Sequence, residues 1–165
     1  MNPDWTEGQL EFDFSSATTV ERPDKFENQL KTVDFVVSFP QEFWLIECKD
    51  PEGAKMNAAS EAQGLLKELR NDVLFKQHLL PKLYGTYVYL AIADRLPQGQ
   101  VRYGVVIGLA ALDTGLCIAL ADRLQRIINQ VGPKRRYSRF VPLIEITTVE
   151  RWNRRYPNKA IQRHP

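Results

Sequence analysis

The chain has 165 residues and a formal net charge of +2, and 44% of its residues are hydrophobic. This length and composition predict one globular domain over residues 1–165, and the apolar stretches are too short or too interrupted to cross a bilayer. The N-terminus lacks the basic and apolar regions of a signal peptide, and the two cysteines lack metal-ligand spacing. We therefore expect a reduced, cytoplasmic protein outside the membrane.

Charge is spread unevenly along the chain. Residues 1–30 form an acidic N-terminal extension with seven acidic and two basic residues. Residues 134–165 form a basic C-terminal segment with nine basic and two acidic residues. Because Lys and Arg attract phosphates, this asymmetry indicates a nucleic-acid contact surface at the basic end.

The first predicted strands lie before and on either side of a turn at Pro40 and Gln41. Residues 9–14 alternate polar and apolar side chains, which is typical of an edge strand, and residues 21–30 suit a short helix or a loop. Residues 32–50 contain two apolar runs around the Pro-Gln dipeptide, the pattern of an antiparallel hairpin. An even-length loop centred there pairs residues whose numbers sum to 81.

This register places two carboxylates, Asp34 and Glu47, directly opposite each other. Opposed residues share a face and residues alternate faces along a strand, so Lys49 shares that face while Ile46 and Cys48 point the other way. Facing carboxylates repel; Lys49 offsets this in part, and a divalent cation would complete the balance. Because oxygen-rich acidic sites suit Mg²⁺, the hairpin by itself indicates metal-dependent phosphodiester chemistry.

Helices and further strands follow the hairpin. Apolar residues recur at helical spacing from Asn57 to Leu80, and Pro81 is expected to end this longest helix. The nearly continuous apolar run over residues 86–93 predicts a central strand. Mixed elements in this order predict an α/β fold with a central mixed β-sheet flanked by helices. The remaining predicted elements are a strand over 101–109, a helix from 113 or 114 to 131, a strand over 140–147, a short helix over 149–156 and a frayed tail from residue 157.

The spacing of the hairpin acids and lysine resembles the core motif of the PD-(D/E)XK nuclease superfamily. Asp34 is followed, after twelve residues, by Glu47-Cys48-Lys49 at the end of an apolar strand, and a polar helix face with Gln63 and Lys67 comes next. Val33 stands where the motif has its leading Pro. The resemblance covers residues 34–70 and implies a restriction-endonuclease-like core.

The resemblance also implies roles for the hairpin residues. Asp34 and Glu47 would bind Mg²⁺ or Mn²⁺, and Lys49 would position or polarise the attacking water. The backbone carbonyl of Cys48 would be a further metal ligand, with the Cys48 side chain only packing. The alternative is a solvated strand end with an ordinary cross-strand charge network.

Further residues are accessory candidates. Glu21 or Glu27 would supply the upstream acid that often completes such sites in the superfamily, unless each belongs to an exposed acidic face. Gln63 and Lys67 would contact phosphate or water, unless they lie on a solvated helix face. The expected nucleic-acid contacts, for which the alternative is a solubilising surface, are Arg70, Arg135, Arg136, Arg139, Arg154 and Arg155.

Three functions follow from these observations. The first is a metal-dependent endonuclease that hydrolyses phosphodiester bonds, with DNA as the expected substrate; a role in bacterial defence or restriction comes only from the resemblance. The second is a catalytically silent nucleic-acid-binding or scaffold subunit with the same fold. The third is an unrelated α/β protein that binds neither metal nor nucleic acid. Because the short chain shows no separate recognition domain, a homodimer or a larger protein partner would supply specificity.

Overall fold

A computed structural model describes residues 5–25, 29–53, 56–131 and 141–164 of the chain. The strands are β1 (Thr6–Glu7), β2 (Leu10–Phe12), β3 (Thr19–Glu21), β4 (Phe35–Ser38), β5 (Phe43–Lys49), β6 (Val101–Ile107), β7 (Leu143–Thr148) and β8 (Ile161–Arg163). The helices are α1 (Ala58–Arg70), α2 (Leu80–Ile92), α3 (Thr114–Val131) and α4 (Val149–Arg155), and a π-helix over Leu74–Leu79 runs directly into α2. Short 3-10 turns span Pro23–Lys25, Pro51–Gly53 and Pro157–Lys159.

A five-stranded mixed sheet forms the centre of the fold, in the order β3-β4-β5-β6-β7. The strands β3, β4 and β5 are antiparallel neighbours, whereas β5, β6 and β7 run parallel. Parallel strands need long crossover connections; here the segment from α1 to α2 joins β5 to β6, and α3 joins β6 to β7. The predicted α/β class with a mixed sheet flanked by helices is confirmed.

The two faces of this sheet are covered by different elements. One face packs against α1, α2 and α3, in a core that includes Val36, Leu45 and Tyr103. The other face packs against α4 and a small sheet of β1, β2 and β8, in a core that includes Trp44 and Trp152. Side chains along β4 and β5 therefore alternate between the face covered by α1, α2 and α3 and the face covered by α4 and the small sheet.

The register of the central hairpin agrees with the sequence prediction. Phe35 pairs with Ile46 and Ser38 with Phe43, and the numbers of both pairs sum to 81. Ile46 and Cys48 pack in the core beneath the small sheet, so the alternation of faces is also confirmed. The helix-covered face is the one that receives Glu47.

The helix and strand predicted over residues 57–93 are wrong in their boundaries and, in part, in their type. The predicted long helix is interrupted near Asp72, which has a left-handed backbone with φ of 57°. Pro81 does not end a helix but lies in the first turn of α2, where the π-helix gives way to α-helical bonding.

The predicted strand over residues 86–93 lies within α2 instead. A continuous apolar run suits a helix with little polar surface as well as a buried strand. Leu83 and Leu90 of α2 pack on the sheet, while Val88 and Ile92 are 47% and 79% exposed. None of the helices in the described ranges is long and apolar enough to traverse a lipid bilayer.

The two ends of the chain pair with each other. The strand predicted near residues 9–14 exists as β2, but it is the central strand of the small sheet and not an edge strand. The tail predicted to fray forms β8, whose Ile161 is buried and pairs with Phe12. The Trp152 indole donates a hydrogen bond to the carbonyl of Lys159, which further anchors this segment.

Candidate active site

Two buried carboxylates converge on one ammonium group at the end of the central hairpin. Asp34 immediately precedes β4, Glu47 lies near the end of β5, and their residues are 4% and 0% exposed. The Lys82 Nζ atom lies 3.1 Å from Asp34 Oδ1 and 2.8 Å from Glu47 Oε2. The predicted convergence of the two acids is therefore present, with a lysine between them that the sequence analysis did not identify.

Cys48 contributes to this site through its backbone amide. The Cys48 N–H donates a hydrogen bond of 2.7 Å to Asp34 Oδ2. The Cys48 side chain is 6% exposed and packs in the core beneath the small sheet, and burial raises the pKa of its thiol well above the usual value. The predicted packing role of the side chain agrees with this position, and the metal-ligand role of its carbonyl stays a prediction.

Lys49 completes the predicted trio. Its Nζ atom lies 2.8 Å from Glu47 Oε1. The Lys49 side chain is 26% exposed, so it lies between the buried carboxylate and the solvent. Glu47 Oε1 is buried, and its contacts with the two lysines are ion pairs without hydrogen-bond geometry. Two carboxylates thus face two ammonium groups.

Lys82 reaches the site because α2 is held against the segment that precedes Asp34. The Thr86 hydroxyl accepts a hydrogen bond of 2.9 Å from the Val33 N–H and donates one of 2.7 Å to the Lys82 carbonyl. A Cβ atom on Gly85 would lie 2.0 Å from the Lys31 carbonyl oxygen, so only glycine permits this close approach. The anchoring of α2 at this point directs the Lys82 side chain toward the hairpin.

The sequence contains a signal for Lys82 that the strand prediction obscured. Lys82 is the only charged residue between Leu79 and Ala93. A lone charge in an apolar stretch of a buried helix needs a partner, because an unpaired buried charge is costly. Had residues 80–92 been assigned to a helix, Lys82 would have been expected to pair with an acid in the core.

The charges of the site change the pKa values of its members. Burial, followed by repulsion from the Asp34 carboxylate, raises the pKa of Glu47 to about 7, against the opposing attraction of Lys49 and Lys82. Burial by itself would lower the pKa of Lys82, but attraction to Glu47 and Asp34 outweighs burial and raises it. The lysine therefore stays an ammonium, while Glu47 can carry a proton near neutral pH.

The donor atoms of the site fit a hard divalent cation. Asp34 belongs to a second carboxylate group with Glu7 and Asp24, in which one oxygen of each residue lies within 4.8 Å of the others. Glu7 and Asp24 also form ion pairs with Arg22, and Asp24 with Lys25. Carboxylate oxygens suit Mg²⁺ and Mn²⁺, and Asp34 is common to both groups of acids.

A cleft opens beside Lys49 between the end of β5 and α1. It has a volume of about 290 Å³, and its lining includes Lys49, Glu61, Glu68 and His78. Gln63 and Lys67, the predicted helix contacts, are exposed and are not among the residues that line it. The face of α1 that lines this cleft is therefore not the predicted one. Gln63 and Lys67 lie on another face, and no contact between them and the site is observed.

Of the two predicted upstream acids, Glu21 makes its contacts away from Asp34 and Glu47. Glu21 lies 2.7 Å from Arg95 and accepts a hydrogen bond from the Tyr89 hydroxyl. Burial by itself would raise the pKa of Glu21, but these two partners lower it. Glu27 lies outside the described residues. Glu7 and Asp24, which the sequence analysis did not select, are the upstream acids near Asp34.

The predicted nucleic-acid contacts do not form one continuous surface among the residues that the structure describes. Arg70 ends α1, which packs on one face of the central sheet, and its carbonyl accepts a hydrogen bond from Arg123. Arg154 and Arg155 lie on α4, which packs on the opposite face, and Arg155 is 3.3 Å from Glu145. The other three predicted arginines, Arg135, Arg136 and Arg139, lie outside the described residues.

No protein-family model, curated protein or solved structure matches the chain.

Proposed function

We propose that this protein is a metal-dependent nuclease that hydrolyses phosphodiester bonds, with DNA as the expected substrate. The observation that carries the proposal is the meeting of Asp34, Glu47 and Lys49 at the end of the central hairpin. These are the residues on which the resemblance to the PD-(D/E)XK superfamily rests. The mixed sheet, with its antiparallel hairpin followed by a parallel strand, is compatible with a restriction-endonuclease-like core.

The proposed chemistry assigns a role to each residue of the site. Asp34 and Glu47, with the Cys48 carbonyl, would hold Mg²⁺ or Mn²⁺. A bound ion of this kind stabilises charge on phosphate oxygens and lowers the pKa of its water. Lys49 acts as a compact positive charge that orients the attacking water or a phosphate oxygen beside Glu47. Its partly exposed side chain lines the cleft, so a phosphate can approach it from solvent.

A second candidate function is a catalytically silent nucleic-acid-binding or scaffold subunit. The observation that favours it is the pairing of both carboxylates with Lys82. Two lysines already balance the charge of the two acids, so the fold does not require a metal ion at this position. A buried charge network of this kind can be purely structural.

Cleavage assays separate the two functions. Supercoiled plasmid, single-stranded DNA and RNA are incubated with the full chain and Mg²⁺ or Mn²⁺. Under the nuclease proposal, Asp34→Asn, Glu47→Gln and Lys49→Ala lose the cleavage that the wild type shows. Lys76→Ala, which changes an exposed lysine outside the cleft lining, is the matched control and keeps it.

The outcome of this comparison decides the matter in either direction. If wild type and Lys49→Ala behave identically on every substrate, the nuclease proposal fails and the silent subunit is favoured. Cleavage confined to RNA would correct the substrate alone. The cytoplasmic location, the defence context and the homodimer or larger partner belong to the same proposal, and sedimentation of the full chain tests the homodimer directly.

A further inference from the structure

The position between Asp34 and Glu47 is held by an ammonium group of the protein itself. We infer that Lys82 is a tethered counter-ion that occupies the cation position of this site and must withdraw before a divalent ion binds there. The inference rests on the proposed function in one respect, because it concerns the metal of that site. It adds a competition, internal to the chain, that sets how tightly the metal is held.

The contacts of Lys82 are those of a shared cation. Its Nζ atom lies 3.1 Å from Asp34 Oδ1 and 2.8 Å from each of the two Glu47 carboxylate oxygens. Its contacts with Asp34 Oδ1 and Glu47 Oε2 are hydrogen bonds, and its contact with Glu47 Oε1 is an ion pair, so the ammonium is shared by three carboxylate oxygens. A hard divalent ion prefers the same oxygens, and two cations repel each other at such short range.

The second oxygen of Asp34 already has a partner within the hairpin. Asp34 Oδ2 accepts a hydrogen bond from the backbone amide of Cys48, which lies on β5. Asp34 Oδ1 is therefore the oxygen of this residue that faces Glu47 and is open to a cation, and Lys82 holds it. An ion that bridges the two acids has to replace the lysine.

Lys82 has a route by which to withdraw. Its side chain is 23% exposed, although both of its partners are buried. The α2 backbone stays in place through the Thr86 contacts, so the departure of the lysine requires only rotation of its flexible four-carbon stem. Lys82 thus leaves the carboxylates without disturbing the fold around them.

Lys49 provides an internal comparison. It carries the same charge and also lies 2.8 Å from Glu47, but it has no contact with Asp34 and approaches from the cleft side. If charge alone governed metal affinity, the loss of either lysine would have the same effect. If occupancy of the bridging position governs it, the loss of Lys82 has the larger effect.

The test is a calorimetric titration of the full chain with Mn²⁺ alone. Lys82→Met removes the charge and keeps an apolar stem, and we expect it to bind Mn²⁺ at least about tenfold more tightly than wild type. Lys49→Met is the matched variant, and we expect its affinity for Mn²⁺ to increase less than that of Lys82→Met. Lys82→Arg retains the positive charge, and we expect its affinity for Mn²⁺ to equal that of wild type. Adding Glu47→Gln to Lys82→Met must abolish the gain, which excludes binding at the separate group of Glu7, Asp24 and Asp34.

A second measurement follows protein stability instead of the heat of binding. Because a ligand that binds only the folded protein stabilises it by mass action, Mn²⁺ is expected to raise the unfolding temperature of Lys82→Met more than that of wild type. If Lys82→Met is unfolded in EDTA, Mn²⁺ must restore its circular dichroism spectrum. Failure to restore it overturns the inference.

The outcomes separate this inference from the nuclease proposal. Equal or weaker Mn²⁺ binding by Lys82→Met, beside clear binding by wild type, overturns the inference and leaves the nuclease proposal standing. Binding by Lys82→Met but not by wild type supports the inference and favours the silent subunit for the natural chain. The absence of Mn²⁺ binding in every variant overturns both.

Discussion

The most direct test of the buried charge cluster is the pH dependence of stability after the change Glu47→Gln. Glu47 has no solvent exposure, and burial together with Asp34 raises its pKa from the usual 4.5 to about 7. Between these two values the folded protein holds a proton that the unfolded chain has released. The free energy of unfolding therefore falls as pH rises through this window.

The size of the effect follows from the same two values. The stabilising contribution is fully present below the unfolded pKa and is lost as pH rises through the folded pKa. At about 1.4 kcal/mol per pH unit, the loss amounts to about 3 kcal/mol across the window. Glu47→Gln keeps the shape of the side chain and removes this titration, so the variant lacks that part of the pH dependence.

Urea unfolding, monitored by circular dichroism between about pH 5 and about pH 8, measures the free energy of unfolding of wild type and of Glu47→Gln. Titration of groups that do not interact with Glu47 is the same in both proteins, so it cancels when the variant is subtracted from wild type. Glu61→Gln, which removes an exposed carboxylate of α1, controls for the loss of one acid. If the difference in the free energy of unfolding between wild type and Glu47→Gln does not change with pH, the raised pKa of Glu47 is refuted.

Three further substitutions test how the site is positioned, each by urea unfolding. Gly85→Ala places a Cβ 2.0 Å from a carbonyl oxygen and should lower the free energy of unfolding by about 1–3 kcal/mol. The control Gly64→Ala, in α1, has open space around the new Cβ and should raise the free energy of unfolding by up to about 1 kcal/mol. Equal effects of the two substitutions would argue against close docking of α2. Thr86→Val leaves the buried Val33 N–H without its acceptor and should cost about 1–3 kcal/mol, and no loss would mean that this contact does not hold α2. Ile161→Ala should lower the free energy of unfolding by about 2–4 kcal/mol if the C-terminal strand packs as observed. A loss far below this range would favour the sequence-based prediction of a frayed C-terminal tail.

The hairpin was predictable because its geometry is local. A Pro-Gln turn between two apolar runs sets the pairing, and the pleat of the strands then assigns each side chain to a face. The observed pairs, from Phe35 with Ile46 to Ser38 with Phe43, follow that register. The meeting of Asp34 with Glu47 needed no information from outside residues 32–50.

The segment over residues 80–92 was not predictable in the same way. Its apolar residues run nearly without interruption, and local sequence alone does not separate a buried strand from a helix of that composition. The outcome depends on what lies beside it: the π-helix that leads into α2, and the sheet on which Leu83 and Leu90 pack. The same neighbours decide where Lys82 points.

The amino-acid sequence by itself determined the hairpin, the order of the later strand-helix units and the two acids with Lys49, because these depend on neighbours along the chain and on the period of each element. Only the tertiary structure decided that Lys82 lies between the acids, 48 residues from Asp34 and 35 from Glu47. Groups so far apart meet only when a helix docks on a sheet, and that docking depends on the packing of whole faces, not on any local pattern.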